Sequence, residues 1–211
     1  MITKVTFSVR RAVAASIATR AGTAALVASV AAMTLAGCGH SIPTRYVTLN
    51  PMPADAPAAM APMTPIQLTA VHIPAVLDRL EVVTLVSPNR LTIDESDRWG
   101  APLAEMMRRT LAQDLLMRLP AGSFVVPDAP APPGTRRLVV TVLNATADAS
   151  GTLTLQAEWT LLAGHSDQAT QRQQVTLNAA IHGHDAPAQA AALSDVLGEL
   201  ADRIAASVGA R

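Results

Sequence analysis

The residue with the clearest chemistry is Cys38, the only cysteine in the sequence. It follows Leu35, Ala36 and Gly37. Small residues before a cysteine let the backbone enter the cleft of a signal peptidase. The thiol can carry a diacylglycerol thioether, which turns a soluble domain into one anchored to a bilayer. The residue order therefore predicts signal cleavage between Gly37 and Cys38 and lipidation of Cys38.

The segment before Cys38 has the composition of a secretory signal. Lys4, Arg10, Arg11 and Arg20 are basic, and residues 21–35 form an uncharged apolar run. A membrane-spanning helix needs about 20 apolar residues, so this run fits a signal better than a span. The alternatives are a buried cysteine after a longer signal, or a secreted protein with a cysteine near its cleavage site. The spacing favours a lipoprotein signal peptide over residues 1–37.

Removal of this signal changes the charge balance of the chain. The sequence has 16 basic and 16 acidic residues, and four of the basic ones precede Cys38. The mature chain would carry 12 arginines, no lysine and 16 acids, a net charge of −4. Such a surface argues against binding to nucleic acid and against electrostatic docking on anionic lipid. A lipidated Cys38 leaves no thiol for a disulfide, a metal site or a nucleophile.

Two short polar clusters could in principle carry chemistry. His182 to Asp185 holds two imidazoles and a carboxylate, but we interpret it as a loop in which Asp185 caps the last helix. His165 to Asp167 contains the residue types of a catalytic triad in consecutive positions, whereas triads draw on separated segments. The sequence also has no glycine-rich phosphate loop. We predict no enzyme activity, no metal and no cofactor other than covalent N-acyl diacylglycerol on Cys38.

Cys38 begins a segment rich in proline and alanine. We predict that this segment, residues 38–65, is a lipidated tether. Dense proline favours extended chain, so residues 43–65 could span up to about 70 Å at ~3.1 Å per residue. Within this segment, residues 45–49 (Arg-Tyr-Val-Thr-Leu) are predicted to form a short strand pinned on the domain, followed by loose chain.

Residues 66–211 are predicted to form one domain. Apolar residues recur every four positions from Leu103 to Leu119, which predicts a helix over 102–119. Alternating residues between 152 and 161 predict a strand with one wet face. The remaining predicted strands are 67–73, 81–86, 91–94, 124–126, 137–146 and 175–181, and the last helix is 187–208. A hairpin, a three-strand meander and two amphipathic helices predict a two-layer α+β sandwich of a mostly antiparallel sheet and two helices.

The polar faces of two predicted strands are poor in charge. A solvated sheet face normally carries more charge, which keeps sheets apart. We therefore weigh an ordinary exposed face evenly against an assembly contact. The residues of these faces are Thr152, Thr154, Gln156, Glu158 and Thr160, with Gln174, Thr176 and Asn178.

Trp99 directly precedes the first helix and follows three acids, Asp94, Glu95 and Asp97. We interpret the acids as a solvated cap that complements the helix dipole. Trp99 is predicted to pack on the sheet edge or on the loop at 77–79, which would fix the helix entry. The alternative is an exposed tryptophan that anchors a partner.

The order of several motifs resembles a known family. Arg45 and Tyr46 come soon after the lipidation motif, Leu77, Asp78 and Arg79 lie in the next segment, and Arg98, Trp99, Pro102 and Leu103 open the first helix. This pattern resembles the ABC-type transport auxiliary lipoprotein (PqiC-like) family, which includes the lipoprotein subunit of the paraquat-inducible membrane-integrity transporter. Val47 and the Leu80-Glu81 pair depart from residues common in that family. The resemblance covers nearly all of the mature chain.

The resemblance implies a partner with an MCE (mammalian-cell-entry) domain, an inner-membrane permease and lipid movement between membranes. We expect a scaffolding lipoprotein on the periplasmic face of the outer membrane, because Gly39 rather than aspartate follows Cys38. A homo-oligomeric ring is a further implication of the resemblance. The alternative is a periplasmic lipid or small-molecule carrier that holds an acyl chain between the sheet and the helices.

Overall fold

The computed structural model describes residues 43–54, 63–87, 89–164 and 166–209. The signal peptide, Gly37 and Cys38 lie outside these residues, so their predictions stay predictions. No helix within the described residues is long and apolar enough to cross a membrane. The strands are β1 (Arg45–Val47), β2 (Ile66–His72), β3 (Glu81–Ser87), β4 (Arg90–Trp99), β5 (Phe124–Val125), β6 (Arg136–Asp148), β7 (Thr152–Leu162) and β8 (Ala169–Ala180), and the helices are α1 (Leu103–Arg118) and α2 (Ala186–Gly209).

Strand β6 organises the sheet. Its antiparallel partner β7 runs along one edge from Arg137 to Ala147, and β8 pairs antiparallel with β7, which confirms the predicted meander. The other edge of β6 is shared by two parallel strands, β2 along the first half and β3 at Ala147 and Asp148. The predicted β3–β4 hairpin is also confirmed, and β1 pairs in parallel with β4 at its end.

Both helices cover one face of this sheet. The apolar residues of β7 are buried at every second position, as the alternation predicted, and Leu155 and Leu161 are fully buried. Facing them are the apolar stripes of the helices, including Met107, Leu115 and Leu200. Each such side chain stabilises the fold by about 1.5–3 kcal/mol through burial. The predicted two-layer α+β sandwich is therefore confirmed, with a mixed sheet whose longest pairings are antiparallel.

Two strands are longer than predicted. Strand β8 begins at Ala169, six positions before the predicted start, because its polar first half continues the backbone register with β7 down to Leu162. Strand β4 reaches Trp99, although the acids before Trp99 favoured a helix cap. The interpretation of Asp94 and Asp97 as cap residues is wrong. Asp94 accepts hydrogen bonds from the amides of Ser96 and Asp97 inside an irregular part of β4.

The segment after β1 stays on the domain. Leu49 is buried, the amide of Asn50 donates to Ser194 Oγ at 3.1 Å, and the amide of Met52 donates to Asp114 Oδ1 at 2.8 Å. The predicted short strand is confirmed over residues 45–47, and the contacts continue to Met52 where loose chain was expected. Residues 55–62 of the predicted tether lie outside the described residues.

Candidate partner-binding surface

The sequence motifs at residues 45–47 and 97–99 meet at the end of the sheet. Because β1 pairs in parallel with β4, Arg45 lies opposite Asp97, Tyr46 opposite Arg98 and Val47 opposite Trp99. Side chains alternate along a strand, so Arg45 and Val47 share one face with their partners and Tyr46 shares the other with Arg98. On the first face Val47, Asp97 and Trp99 are buried, whereas Tyr46 on the second face is exposed.

Arg45 and Asp97 form a two-point ion pair. Arg45 Nε donates to Asp97 Oδ1 and Arg45 Nη2 donates to Asp97 Oδ2, both at 2.7 Å. The Asp97 side chain is 1% exposed whereas Arg45 is 65% exposed, so the guanidinium covers a buried carboxylate. The hydrogen bond and the charge of Asp97 raise the pKa of Arg45. This pair fixes β1 to β4 with a defined register.

Trp99 is a core residue. Its exposed fraction is 3%, and its amide donates to the Leu80 carbonyl at 2.6 Å. Its side chain borders the same internal cavity as those of Leu77 and Leu103. The predicted packing beside the 77–79 loop is confirmed, and an exposed partner-anchoring role for Trp99 is excluded by this burial.

Pro102 begins the first helix without a side-chain cap. Its φ of −50° and ψ of 130° are extended, and its carbonyl accepts hydrogen bonds from the amides of Glu105 and Met106. Pro102 lacks an amide donor, which suits a helix start where amides have no intrahelical partner. Leu103 then enters the core at 3% exposure. This part of the motif therefore fixes the entry of α1 into the core.

The other motif residues lie at the surface. Tyr46 is 68% exposed, and its neighbour Arg98 lies opposite Glu81 of β3. Arg79 Nε donates to Glu81 Oε2 at 3.0 Å, which lowers the pKa of Glu81. Asp78 is exposed in the same loop. The structure thus separates the sequence-predicted residues into a buried set (Leu77, Trp99, Leu103), an exposed set (Tyr46, Asp78) and the half-buried Arg79 and Arg98.

A second charged cluster was missed by the sequence reasoning. Asp114 and Arg118 have the i,i+4 spacing of a favourable helix ion pair, and both are buried. Arg118 Nε donates to Asp202 Oδ1 at 2.6 Å and its Nη1 donates to the Met52 carbonyl at 3.2 Å. Burial raises the pKa of Asp114 to about 6, against the lowering effects of the Met52 amide and Arg118. This cluster joins α1, α2 and the segment after β1.

The His182–Asp185 segment is a loop before α2. Asp185 Oδ1 accepts a hydrogen bond from the amide of Ala188 at 3.1 Å, which confirms the predicted capping role. His182 and His184 are exposed. Among the described residues, no three histidine, cysteine, aspartate or glutamate side chains are grouped to hold a metal ion. His165 lies outside the described residues, and Ser166 closes a turn on the Ala163 carbonyl.

The polar faces of β7 and β8 form one continuous surface. Thr154 lies opposite Asn178, with Thr154 Oγ1 donating to Asn178 Oδ1 at 2.9 Å, and Gln156 lies opposite Thr176. Among the residues predicted for this face, Glu158 is the one with a charge. Because β8 begins earlier than predicted, Arg172 joins the face and pairs with Glu158 at 3.2 Å. The charges of the face therefore compensate each other.

Among the described residues, a small cavity lies between the sheet and the helices beside Trp99. The cavity beside Trp99 measures about 10 Å³, enough for roughly one water molecule. Its walls come from both layers, with Ala145 and Leu153 on the sheet and Leu193 on α2. A larger open groove of about 320 Å³ runs along the outer side of α1, where Leu116 and Val126 are exposed.

Comparisons with known proteins show the family by sequence and the fold by structure. The sequence pattern described as "ABC-type transport auxiliary lipoprotein component" matches residues 46–205. The solved structure of an uncharacterised protein has a TM-score of 0.63 and 22% identity, covering 79% of this chain and 99% of that one. A protein from Xanthomonas campestris has a TM-score of 0.57 and 16% identity, covering 76% and 91%. No curated protein sequence matches. At these identities the structures establish the fold alone.

Proposed function

Since the chain belongs to the family of ABC-type transport auxiliary lipoprotein components, we propose that it is the outer-membrane-anchored lipoprotein subunit of an intermembrane lipid transport system. Its acylated Cys38 holds it on the periplasmic face, and its folded domain docks the MCE-domain partner. The acyl chains contribute about 0.8 kcal/mol per buried CH₂, so a cysteine with several chains anchors the protein stably. The permease of the same system is the more distant partner, and lipid transport supports membrane integrity.

The small size of the cavity beside Trp99 is the observation that supports a scaffold most directly. A carrier that held an acyl chain between the sheet and the helices would need an apolar cavity there. The cavity at this position, lined by Leu77, Trp99 and Leu193 among others, holds about 10 Å³. A drug-sized ligand needs a pocket of about 300 Å³ or more. Binding by the outer surface therefore fits this domain better than binding inside it.

The β7–β8 polar face is the docking surface we favour. Its threonine, glutamine and asparagine side chains offer donors and acceptors, and the Glu158–Arg172 pair leaves no net charge. Interfaces of this kind form hydrogen bonds and hold bridging water. The face meets either the MCE-domain partner or a neighbouring copy in a ring.

Anchoring and partner capture test the proposal together. Wild-type protein should stay in the outer-membrane fraction after a carbonate wash and should co-purify with an MCE-domain protein encoded beside it. Cys38→Ser should move the folded protein into the soluble periplasmic fraction. A serine variant that stays in the membrane, or a wild-type protein that captures no such partner, would reject the proposal.

The alternative is a periplasmic lipid or small-molecule carrier, and the groove on α1 is the feature that favours it. The groove measures about 320 Å³ and exposes Leu116 and Val126, which could contact an acyl chain. Arg108 at its rim is already paired with Asp128 at 2.8 Å. Native mass spectrometry before and after delipidation distinguishes the two functions. A lipid that is bound by the wild-type protein and absent from the Leu116→Ser variant would favour the carrier over the scaffold.

A further inference from the structure

The distance between the anchor and the folded domain is short. The described chain begins at Pro43, and β1 follows at once with Arg45 paired to Asp97. Cys38 precedes Pro43 by five positions, and an extended chain spans at most about 3.6 Å per residue. Cys38 can therefore lie no farther than about 18 Å from Pro43. A proline-rich tether of residues 43–65 could not lengthen this distance, because the segment up to Met52 is held on the domain.

This limit selects which side of the domain meets the bilayer. A domain of this length has a radius of gyration of about 15 Å, so its far side lies well beyond the reach of the anchor. The membrane-proximal part must include the surroundings of β1. Strand β8 lies at the opposite end of the pairing order β1–β4–β3–β6–β7–β8.

Around β1 lies what we call the Tyr46 patch, which consists of the exposed Tyr46, Val76 and Leu80 and the half-buried Arg79 and Arg98. Tyr46 is 68% exposed, Val76 49% and Leu80 43%. The strand register connects them, because Tyr46 lies opposite Arg98, and Arg98 lies opposite Glu81, which directly follows Leu80. Val76 lies in the turn where the Pro74 carbonyl accepts the amides of Leu77 and Asp78.

The charges of the patch are nearly balanced. Arg45 is paired with Asp97 and Arg79 with Glu81, which leaves Arg98 and the exposed Asp78. Such a surface does not depend on attraction to anionic lipid. An exposed tyrosine with aliphatic neighbours and arginines at its rim matches the side chains that favour the interfacial layer of a bilayer.

We propose that the Tyr46 patch lies against the membrane surface when Cys38 is acylated, with Tyr46 and Leu80 in the headgroup layer. This orientation rests on the lipid anchor of the proposed function. It places the β7–β8 face away from the bilayer, where a periplasmic partner can reach it. The occupant of the patch is thus the lipid surface, and the partner binds at the other end of the sheet.

Fluorophores on single cysteines test this orientation. Cys38 is the only cysteine, and its acylated thiol does not react, so Tyr46→Cys, Leu80→Cys or Thr176→Cys each adds one thiol to label. Acylated protein is reconstituted in vesicles of phosphatidylethanolamine and phosphatidylglycerol that contain brominated lipid. Labels at 46 and 80 should be quenched at least about twofold more than the label at 176. Equal quenching at the three positions, or stronger quenching at 176, would overturn the proposal.

Amide hydrogen exchange gives a measurement without substitutions in the patch. Residues 74–80 should exchange more slowly in vesicle-bound acylated protein than in soluble Cys38→Ser protein, while β8 should be unchanged. Faster or equal exchange of residues 74–80 would contradict the orientation.

The lipid anchor and the membrane-facing patch are rejected by different results. Labelling of Cys38 itself would reject the lipid anchor, whereas an acylated Cys38 without quenching at 46 and 80 would reject only the membrane-facing patch.

Discussion

Arg45 and Asp97 are separated by 52 positions in the sequence, yet the guanidinium and the carboxylate form two parallel hydrogen bonds of 2.7 Å. The pair joins the three-residue strand β1 to the end of β4. A planar guanidinium matches a carboxylate in two places, so the pair fixes orientation as well as position. It therefore sets where the chain from the membrane anchor enters the domain.

Removal of the buried carboxylate should loosen this entry point. Asp97→Asn keeps the shape but loses the charge-assisted hydrogen bonds, and a buried polar group without its partner is costly. We expect the midpoint of thermal unfolding to fall by about 5 °C, together with faster proteolysis near residue 45. Asp78→Asn, the same substitution at an exposed position, is the matched control and should melt like wild type. An unchanged melting temperature for Asp97→Asn would show that β1 holds its place without the pair.

Trp99 should be among the most destabilising positions for truncation. Its ring is 97% removed from solvent beside Leu77 and Leu103. Trp99→Ala should lower the free energy of unfolding by about 3–5 kcal/mol, measured by urea denaturation. Tyr46→Ala, at an exposed position directly opposite Arg98, should change it by less than about 0.5 kcal/mol. Equal losses for both variants would contradict the division into a buried and an exposed face.

Asp114 should make stability depend on pH. Burial raises the pKa of Asp114 to about 6 in the folded state, above the unfolded value near 3.9. A raised folded pKa contributes stability that is complete below about pH 4 and is lost as the pH rises through about 6. The loss is at most about 3 kcal/mol. Asp114→Asn keeps an acceptor for the Met52 amide and should remove this pH dependence.

Urea denaturation at several pH values between about 4 and 7 measures the effect of Asp114. The stability of Asp114→Asn relative to wild type should increase over this range. Glu199→Gln, which changes an exposed helix pair with Arg203, is the control and should leave the slope unaltered. Parallel curves for wild type and Asp114→Asn would show that Asp114 keeps an ordinary pKa in the folded protein.

The sequence predicted those elements whose side chains repeat with a clear period. Strand β7 alternates without exception, and its bounds were predicted to within one residue. The predicted strand β8 was too short because Gln171 to Gln174 have no apolar alternation. Only their pairing with β7 holds these residues extended. Asp97 was assigned to a helix cap because its partner Arg45 is distant in sequence. Periodicity reports burial, but it contains no information about which distant charge will neutralise a carboxylate.

The same limit applies to the candidate sites. Asp114 and Arg118 have the four-residue spacing of an exposed helix pair, and nothing local distinguishes them from Glu105 and Arg109, which do form such a pair at 2.9 Å. The burial of Asp114 follows from the chain at Met52 crossing both helices. The motif residues from Leu77 to Arg79 were found by resemblance, and only the structure separates the buried Leu77 from the exposed Asp78 and the half-buried Arg79.

Assembly through the β7–β8 face can be tested with two arginines. Thr154 and Thr176 lie on adjacent strands of this face, in diagonally neighbouring register positions. Thr154→Arg with Thr176→Arg adds two like charges to a surface whose own charges compensate, so a complementary partner should no longer bind. The domain should still fold, because Thr154 and Thr176 are not core residues. Thr154→Ser with Thr176→Ser is the control, since it keeps both hydroxyl groups.

We expect the arginine variant to lose its assembly in light scattering and to lose capture of the MCE-domain partner. If it keeps both, the contact lies elsewhere, and the exposed side of α1 with Leu116 becomes the next surface to change.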